Sequence, residues 1–181
     1  MTTPLTSFGI TDQGLKRKAN EDQFLVANYN RDHASSYTGL DSATAMLQGG
    51  DEQLLAVADG MGGHASGEKA SQLAVETAVN SMLAGPLLNL HRDDGNGHSI
   101  ETVLQGLVDD AHAAILMESA QSPADRGMGT TFTLAYIDYP TMYVVHVGDS
   151  RCYLLRDSQV EQLTTDHTMA QQMVQQGELD P

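Results

Sequence analysis

The sequence predicts an α+β fold, helices packed on antiparallel sheets, and three observations lead there. Short apolar runs of strand length are segregated from two long amphipathic stretches. The last four of these runs follow one another with connections too short for the crossover that parallel strands require. The two long stretches place their apolar residues at helical spacing, so each buries one side only. Elements segregated in this way assemble as helix layers against antiparallel sheet.

In chain order, the first strand is expected at residues 22–27. Residues 29–50 read as a loop, polar and poor in strand formers, with two glycines at the end. A second apolar run, 53–58, stops abruptly in Asp59-Gly60-Met61-Gly62-Gly63. The first helix is expected over 67–83, its stripe made of Ala70, Leu73, Ala74, Ala78 and Met82. Residues 85–98 contain Pro86 and Asp93-Asp94-Gly95-Asn96-Gly97 and read as a second loop. A longer helix follows over 99–119, capped by Ser99, with Ile100, Val103, Leu104, Leu107, Val108, Ala111, Ala114 and Ile115 on its buried side. Strands at 130–137, 142–147, 151–156 and 159–163, joined by turns at 138–141 and Asp157-Ser158, complete an antiparallel meander. A short third helix is expected from just after Asp166-His167 to Gln176, stopped by Gly177.

The 181 residues suit a single domain, and 40% hydrophobic content is enough for a core at that length. Against 24 acidic residues stand 9 basic ones, a net charge of −15. Such a chain repels nucleic acid and anionic membrane surfaces, both of which need a basic face, and it attracts divalent cations. A lone cysteine, Cys152, rules out an intramolecular disulfide and a thiolate metal cluster and suits a reducing compartment. Residues 1–10 have neither the basic start nor the apolar run of a signal peptide, and no stretch approaches the ~20 apolar residues that span a bilayer. The expectation is a soluble, cytoplasmic protein without repeats.

The chemistry lies where apolar runs end. At Val57-Ala58-Asp59-Gly60-Met61-Gly62-Gly63-His64 a buried strand delivers a carboxylate into a glycine turn that exposes backbone oxygens, the combination hard cations prefer. Arg17-Lys18-Ala19-Asn20-Glu21-Asp22 opens another strand with two more carboxylates. Neighbours on a strand face opposite ways, so only one of Glu21 and Asp22 is expected to aim directly at a shared centre. Val147-Gly148-Asp149-Ser150-Arg151 puts a further carboxylate at a tight turn. Each segment also has a plainer reading: a glycine turn, a solvated acidic pair, an ordinary hairpin bend.

Taken in order, and with Gly129-Thr130-Thr131 between the last two, these segments resemble the metal-dependent protein serine/threonine phosphatases of type 2C, bacterial members above all. The resemblance runs over about residues 8–179. It implies a layered α-β-β-α sandwich of two antiparallel sheets flanked by helices, with a metal cleft at one edge. It implies hydrolysis of phosphoserine and phosphothreonine in proteins by a hydroxide bridging two Mn²⁺ or Mg²⁺ ions. Asp59 would bridge both ions, Glu21 and the Gly60 carbonyl would complete one of them, and Asp22 would orient water. Asp149 would help hold a third, weaker ion. Arg17 would bind the substrate phosphate, His64 would protonate the leaving oxygen, and Thr130 and Thr131 would support the strand behind the site. Partners would be phosphorylated proteins and a serine/threonine kinase system.

The family's pattern also has two aspartates, in Asp-Gly and Asp-Asn segments, that complete the second metal site, and nothing after Asp149 matches them. Residues 1–181 therefore read as a single phosphatase-like domain, C-terminally incomplete, expected to hold at most one ion firmly. The alternative is a non-catalytic regulatory or binding domain of the same fold, or an inactive fragment.

Overall fold

A computed structural model describes residues 5–29, 34–39, 44–48, 52–62, 64–83 and 99–180. Its centre is the antiparallel pair β2 (Asp22–Tyr29) and β5 (Glu52–Met61), in register from Tyr29↔Glu52 to Asp22↔Asp59. Alternate residues of this pair, Leu25, Ala27, Leu54, Ala56 and Ala58, turn to one face and are buried there. Strands β7 (Phe132–Asp138) and β8 (Thr141–Val147) extend the sheet on the β5 side. β3 (Ala34–Thr38) closes it on the other, giving the order β3-β2-β5-β7-β8.

Two helices, α1 (His64–Leu83) and α2 (Ile100–Gln121), cover that face. Ala70, Ala74, Val75 and Ala78 from α1 join Leu104, Leu107, Ala111 and Ile115 from α2 and the sheet residues in one core. The predicted stripes face this core, with Leu73, Ile100, Val103 and Val108 partly buried and the side chain of Met82 outside the described residues, and Ser99 caps α2 by accepting the Thr102 N–H. Across the sheet, β1 (Thr6–Ile10) and β4 (Thr44–Gln48) form a ribbon whose Leu47 packs on Phe24, Val26 and Leu55. The short hairpin β9 (Tyr153–Arg156) and β10 (Gln159–Gln162) and the helix α3 (Met169–Gln175) complete the described chain. None of its helices is long and apolar enough to cross a membrane.

The architecture differs from the expectation in four places. The stretch 29–50 contains two strands, β3 and β4; β3 is mostly serine and threonine, and the three apolar residues of β4 run together, so neither shows apolar alternation. β1 also escaped notice because its pattern is inverted: Ser7 and Gly9 point inward while Phe8 and Ile10 point out. The expected meander breaks into two hairpins, since Gly148 turns at a φ of 108° and the amides of Gly148 and Cys152 bond to side chains of residues 167 and 164. The strand expected at 130–137 is interrupted at Thr131, whose N–H goes to the Asp59 carbonyl at 2.9 Å, leaving β6 (Gly129–Thr130) as a separate piece. Residues 85–98, expected as a loop, lie outside the described residues.

Candidate active site

The open end of β2 and β5 gathers the acidic residues. Asp22 and Asp59 stand directly opposite in the antiparallel register, which puts both side chains on one face, Cβ atoms about 5 Å apart. Burial, and then the facing Asp59 carboxylate, push the Asp22 carboxyl above its ordinary value. Glu21 lies one residue before β2. Its Oε2 lies on the α1 side, close to Gly67, whereas Asp22 and Asp59 share the face of Phe24 and Val26, so the two neighbours do point to opposite faces and the cleft at the strand ends takes in both. That cleft, about 510 Å³, is bounded by residues 12–17, Asn20, Glu21, Asp22 and Asp59. Arg17 reaches into it with a guanidinium nitrogen 3.6 Å from Glu21 Oε2.

The backbone at these positions is tightly held. The Asp59 N–H donates to Thr131 Oγ1 at 2.9 Å, and its carbonyl accepts from the Thr131 N–H and from Thr130 Oγ1. Thr130 and Thr131 therefore act from behind the strand. The Glu21 carbonyl accepts from the Gly60 N–H at 3.1 Å and from Ser71 Oγ at 2.6 Å. Here α1 begins three residues earlier than expected, which brings Gly67 into its first turn. A Cβ on Gly60 would lie 2.0 Å from the Gly67 carbonyl, and one on Gly67 would lie 2.9 Å from Glu21 Oε2. Two glycines thus let helix, strand and carboxylate meet. Gly67 and Ser71 were not foreseen, because a backbone approach of this kind has no sequence period.

Asp149 lies on the turn after β8, outside the lining of that cleft, while its neighbour Ser150 lines an adjoining recess with Asp22 and Asp59. The turn is clasped from residues 166–167. His167 donates its N–H to the Gly148 carbonyl at 2.7 Å and accepts the Gly148 N–H on Nδ1, while Arg151 forks onto Asp166 at 2.7 to 3.2 Å. The Arg151 guanidinium holds the Asp166 carboxyl below the usual carboxylate range. Ser150 Oγ lies 2.7 Å from Thr131 Oγ1, the atom that receives the Asp59 amide, so the clasp connects to Asp59. The side chain of His64 lies outside the described residues.

Among the described residues no three His, Cys, Asp or Glu side chains converge on one point. The donors nonetheless suit a hard cation: two facing carboxylates that repel one another, a third beside them, and a strand-end backbone.

The protein phosphatase 2C family pattern matches residues 31–175. Serine/threonine protein phosphatase PstP of Mycobacterium tuberculosis is 37% identical over 167 residues, 92% of this chain and 28% of that protein. Protein phosphatase PhpP of Streptococcus pneumoniae is 30% identical over 174 residues, 95% of this chain and 59% of that protein. Among solved structures, the PstP catalytic domain in complex with 2 manganese ions has a TM-score of 0.69 at 33% identity, covering 99% of this chain and 64% of that one. The serine/threonine phosphatase Stp1 from Staphylococcus aureus reaches 0.76 at 29% identity, covering 99% and 60%. The chain therefore spans less than two thirds of each of these relatives, while Arg17 to Asp22, ahead of the family match, fall within a superposition that covers nearly all of it. A match of that extent, carried on the same fold, makes the chain a member of the protein phosphatase 2C family.

Proposed function

We propose that the chain is the N-terminal portion of a catalytic domain that hydrolyses phosphoserine and phosphothreonine in proteins, using Mn²⁺ or Mg²⁺. The observation that carries this is the in-register pairing of Asp22 with Asp59 at the open end of the central strands, with Glu21 and Arg17 in the same cleft. Glu21, Asp59 and the Gly60 carbonyl would hold one ion, Asp22 a water beside it, and Asp149 a further, weaker ion. Bound divalent ions supply Lewis acidity, which activates water and offsets charge on the phosphoryl oxygens. Arg17, loosely paired and mostly in solvent, offers its planar fork to the substrate phosphate. His64 delivers a proton to the leaving serine or threonine oxygen. That the relatives are protein phosphatases, PstP a serine/threonine one, supports the substrate class, and the two manganese ions of PstP support the metal. We assign it to the cytoplasm, consuming the products of a serine/threonine kinase; the single cysteine is in keeping with that.

Calorimetry tests the metal assignment directly. The 181-residue chain should take up Mn²⁺ at one firm site. Asp59→Asn should weaken that site at least ~100-fold, the upper end of what altering even an outer-shell partner costs. An unchanged isotherm overturns the assignment. One observation favours a second reading, a binding domain of the same fold without turnover: fewer than three ligating side chains converge among the described residues. Phosphate release from a phosphothreonine peptide, measured with the chain joined to a segment that supplies the Asp-Gly and Asp-Asn ligands of the family's second metal site, separates the two.

A further inference from the structure

One wall of the cleft runs against the charge of the whole chain. Residues 11–20, between β1 and β2, carry Lys16, Arg17 and Lys18 against Asp12 alone, a net charge of +2 in a protein of −15. The loop holds its own shape. Asp12 accepts the Gly14 N–H at 2.7 Å, Gln13 donates to the Arg17 carbonyl at 2.8 Å, and Asn20 donates to Thr11 Oγ1 at 2.7 Å. Gly14 turns the chain at a φ of 70°, and Leu15 after it is fully exposed, so the loop tip spends an apolar residue on nothing in the fold. Neither Lys16 nor Lys18 has an ion-pair partner among the described residues, whereas Lys69 and Arg151 are both paired. Leu15 and Lys16 line the same cleft as Arg17, Glu21, Asp22 and Asp59.

A phosphate held at Arg17 leaves the polypeptide that bears it lying across Leu15 and Lys16. The ammonium groups of Lys16, in the cleft lining, and of Lys18, just outside it, have no partners among the described residues and favour a segment rich in carboxylates. Divalent ions bound at Glu21, Asp22 and Asp59 would offset the carboxylates that share this cleft, and screening over about 8 Å at physiological salt then lets the loop's cations outweigh the more distant acidic body. From this we infer that the loop is a specificity element, selecting phosphorylated segments flanked by acidic side chains, with Leu15 as an apolar contact. Only the phosphate part of this rests on the phosphatase reading; the acidic preference is measured separately.

Four labelled peptides test it by fluorescence anisotropy in Mn²⁺: a phosphoserine flanked by glutamates, one flanked by alanines, and the same two with plain serine. The glutamate-flanked phosphopeptide should bind roughly 5-fold tighter than the alanine-flanked one, within what two exposed ion pairs supply, and added salt should erode the difference. The double substitution Lys16→Gln, Lys18→Gln should abolish the preference between the two flanks, and Lys16→Glu, Lys18→Glu should invert it. Equal binding of the two flanks, or a preference indifferent to these double substitutions, overturns the inference. If phosphate adds no affinity to either sequence while glutamate flanks are still preferred, the acidic selection stands and the phosphatase reading falls.

Discussion

Arg17 and Glu21 are four residues apart, and their 3.6 Å separation is the longest of the ion pairs around the described helices and turns. A guanidinium held so loosely can leave its carboxylate for a substrate phosphate. Arg17→Ala should therefore weaken binding of a phosphopeptide by about 1.5–3 kcal/mol, the worth of one charge-assisted hydrogen bond. Manganese affinity should stay nearly constant, and calorimetry with the two ligands separates these effects; loss of manganese binding would mean that Arg17 serves only to hold Glu21. Gly60→Ala should be worse for stability than for any single contact, since its Cβ meets a helix carbonyl at 2.0 Å and α1 must move off the strand. A loss of at least ~1–3 kcal/mol in urea unfolding is expected. The carboxylates of this site could be read from the sequence because each stands where an apolar run stops against glycine, asparagine or serine. Gly67 and Ser71 could not, because what they supply is proximity and a hydroxyl directed at a backbone oxygen.

At the scale of elements, the turn after β8 depends on a segment that follows β10. Asp166→Asn removes the fork from Arg151, and the turn bearing Asp149 should loosen while the hairpins persist. Through Ser150 and Thr131 the change reaches Asp59, so manganese affinity should fall by ~10-fold, the low end for altered outer-shell partners. The pH dependence has a definite sign. The Asp166 carboxyl is depressed in the folded chain, chiefly by its hydrogen bonds from Arg151, so its contribution to stability is complete above the ordinary value of 3.8. It disappears as pH falls through the lower folded value. Melting curves of the two proteins should differ at neutral pH and converge in acid; a gap that persists there would locate the stabilisation elsewhere. The helices were legible here, and the marginal strands were not. α1 and α2 bury a stripe that recurs every three or four residues, whereas β3 and β4 are five residues each without apolar alternation, and β1 turns its apolar residues outward.

Across the whole molecule, the sequence-level segregation of strands from helices corresponds to a real division: α1 and α2 on one face of the β3-β2-β5-β7-β8 sheet, and the β1–β4 ribbon on the other. The division places Glu21, Asp22, Asp59 and Gly60 at one end of the central strands, with Asp149 on the separate turn after β8. It also leaves apolar side chains in water. Phe8, Ile10 and Met46 stand exposed on the outer side of the β1–β4 ribbon, and Tyr153, Leu155 and Val160 on the β9–β10 hairpin. A two-stranded ribbon with greasy side chains and open edges is prone to stick to another copy of itself. In this chain the net charge of −15 opposes that, acting as a colloidal barrier that salt and acid can remove. Light scattering should stay low at neutral pH and rise steeply as the solution approaches the isoelectric point near 4.5. Phe8→Lys together with Ile10→Lys should blunt that rise. The inverted pattern of β1, invisible as secondary structure, would then set the conditions under which the protein can be kept in solution at all.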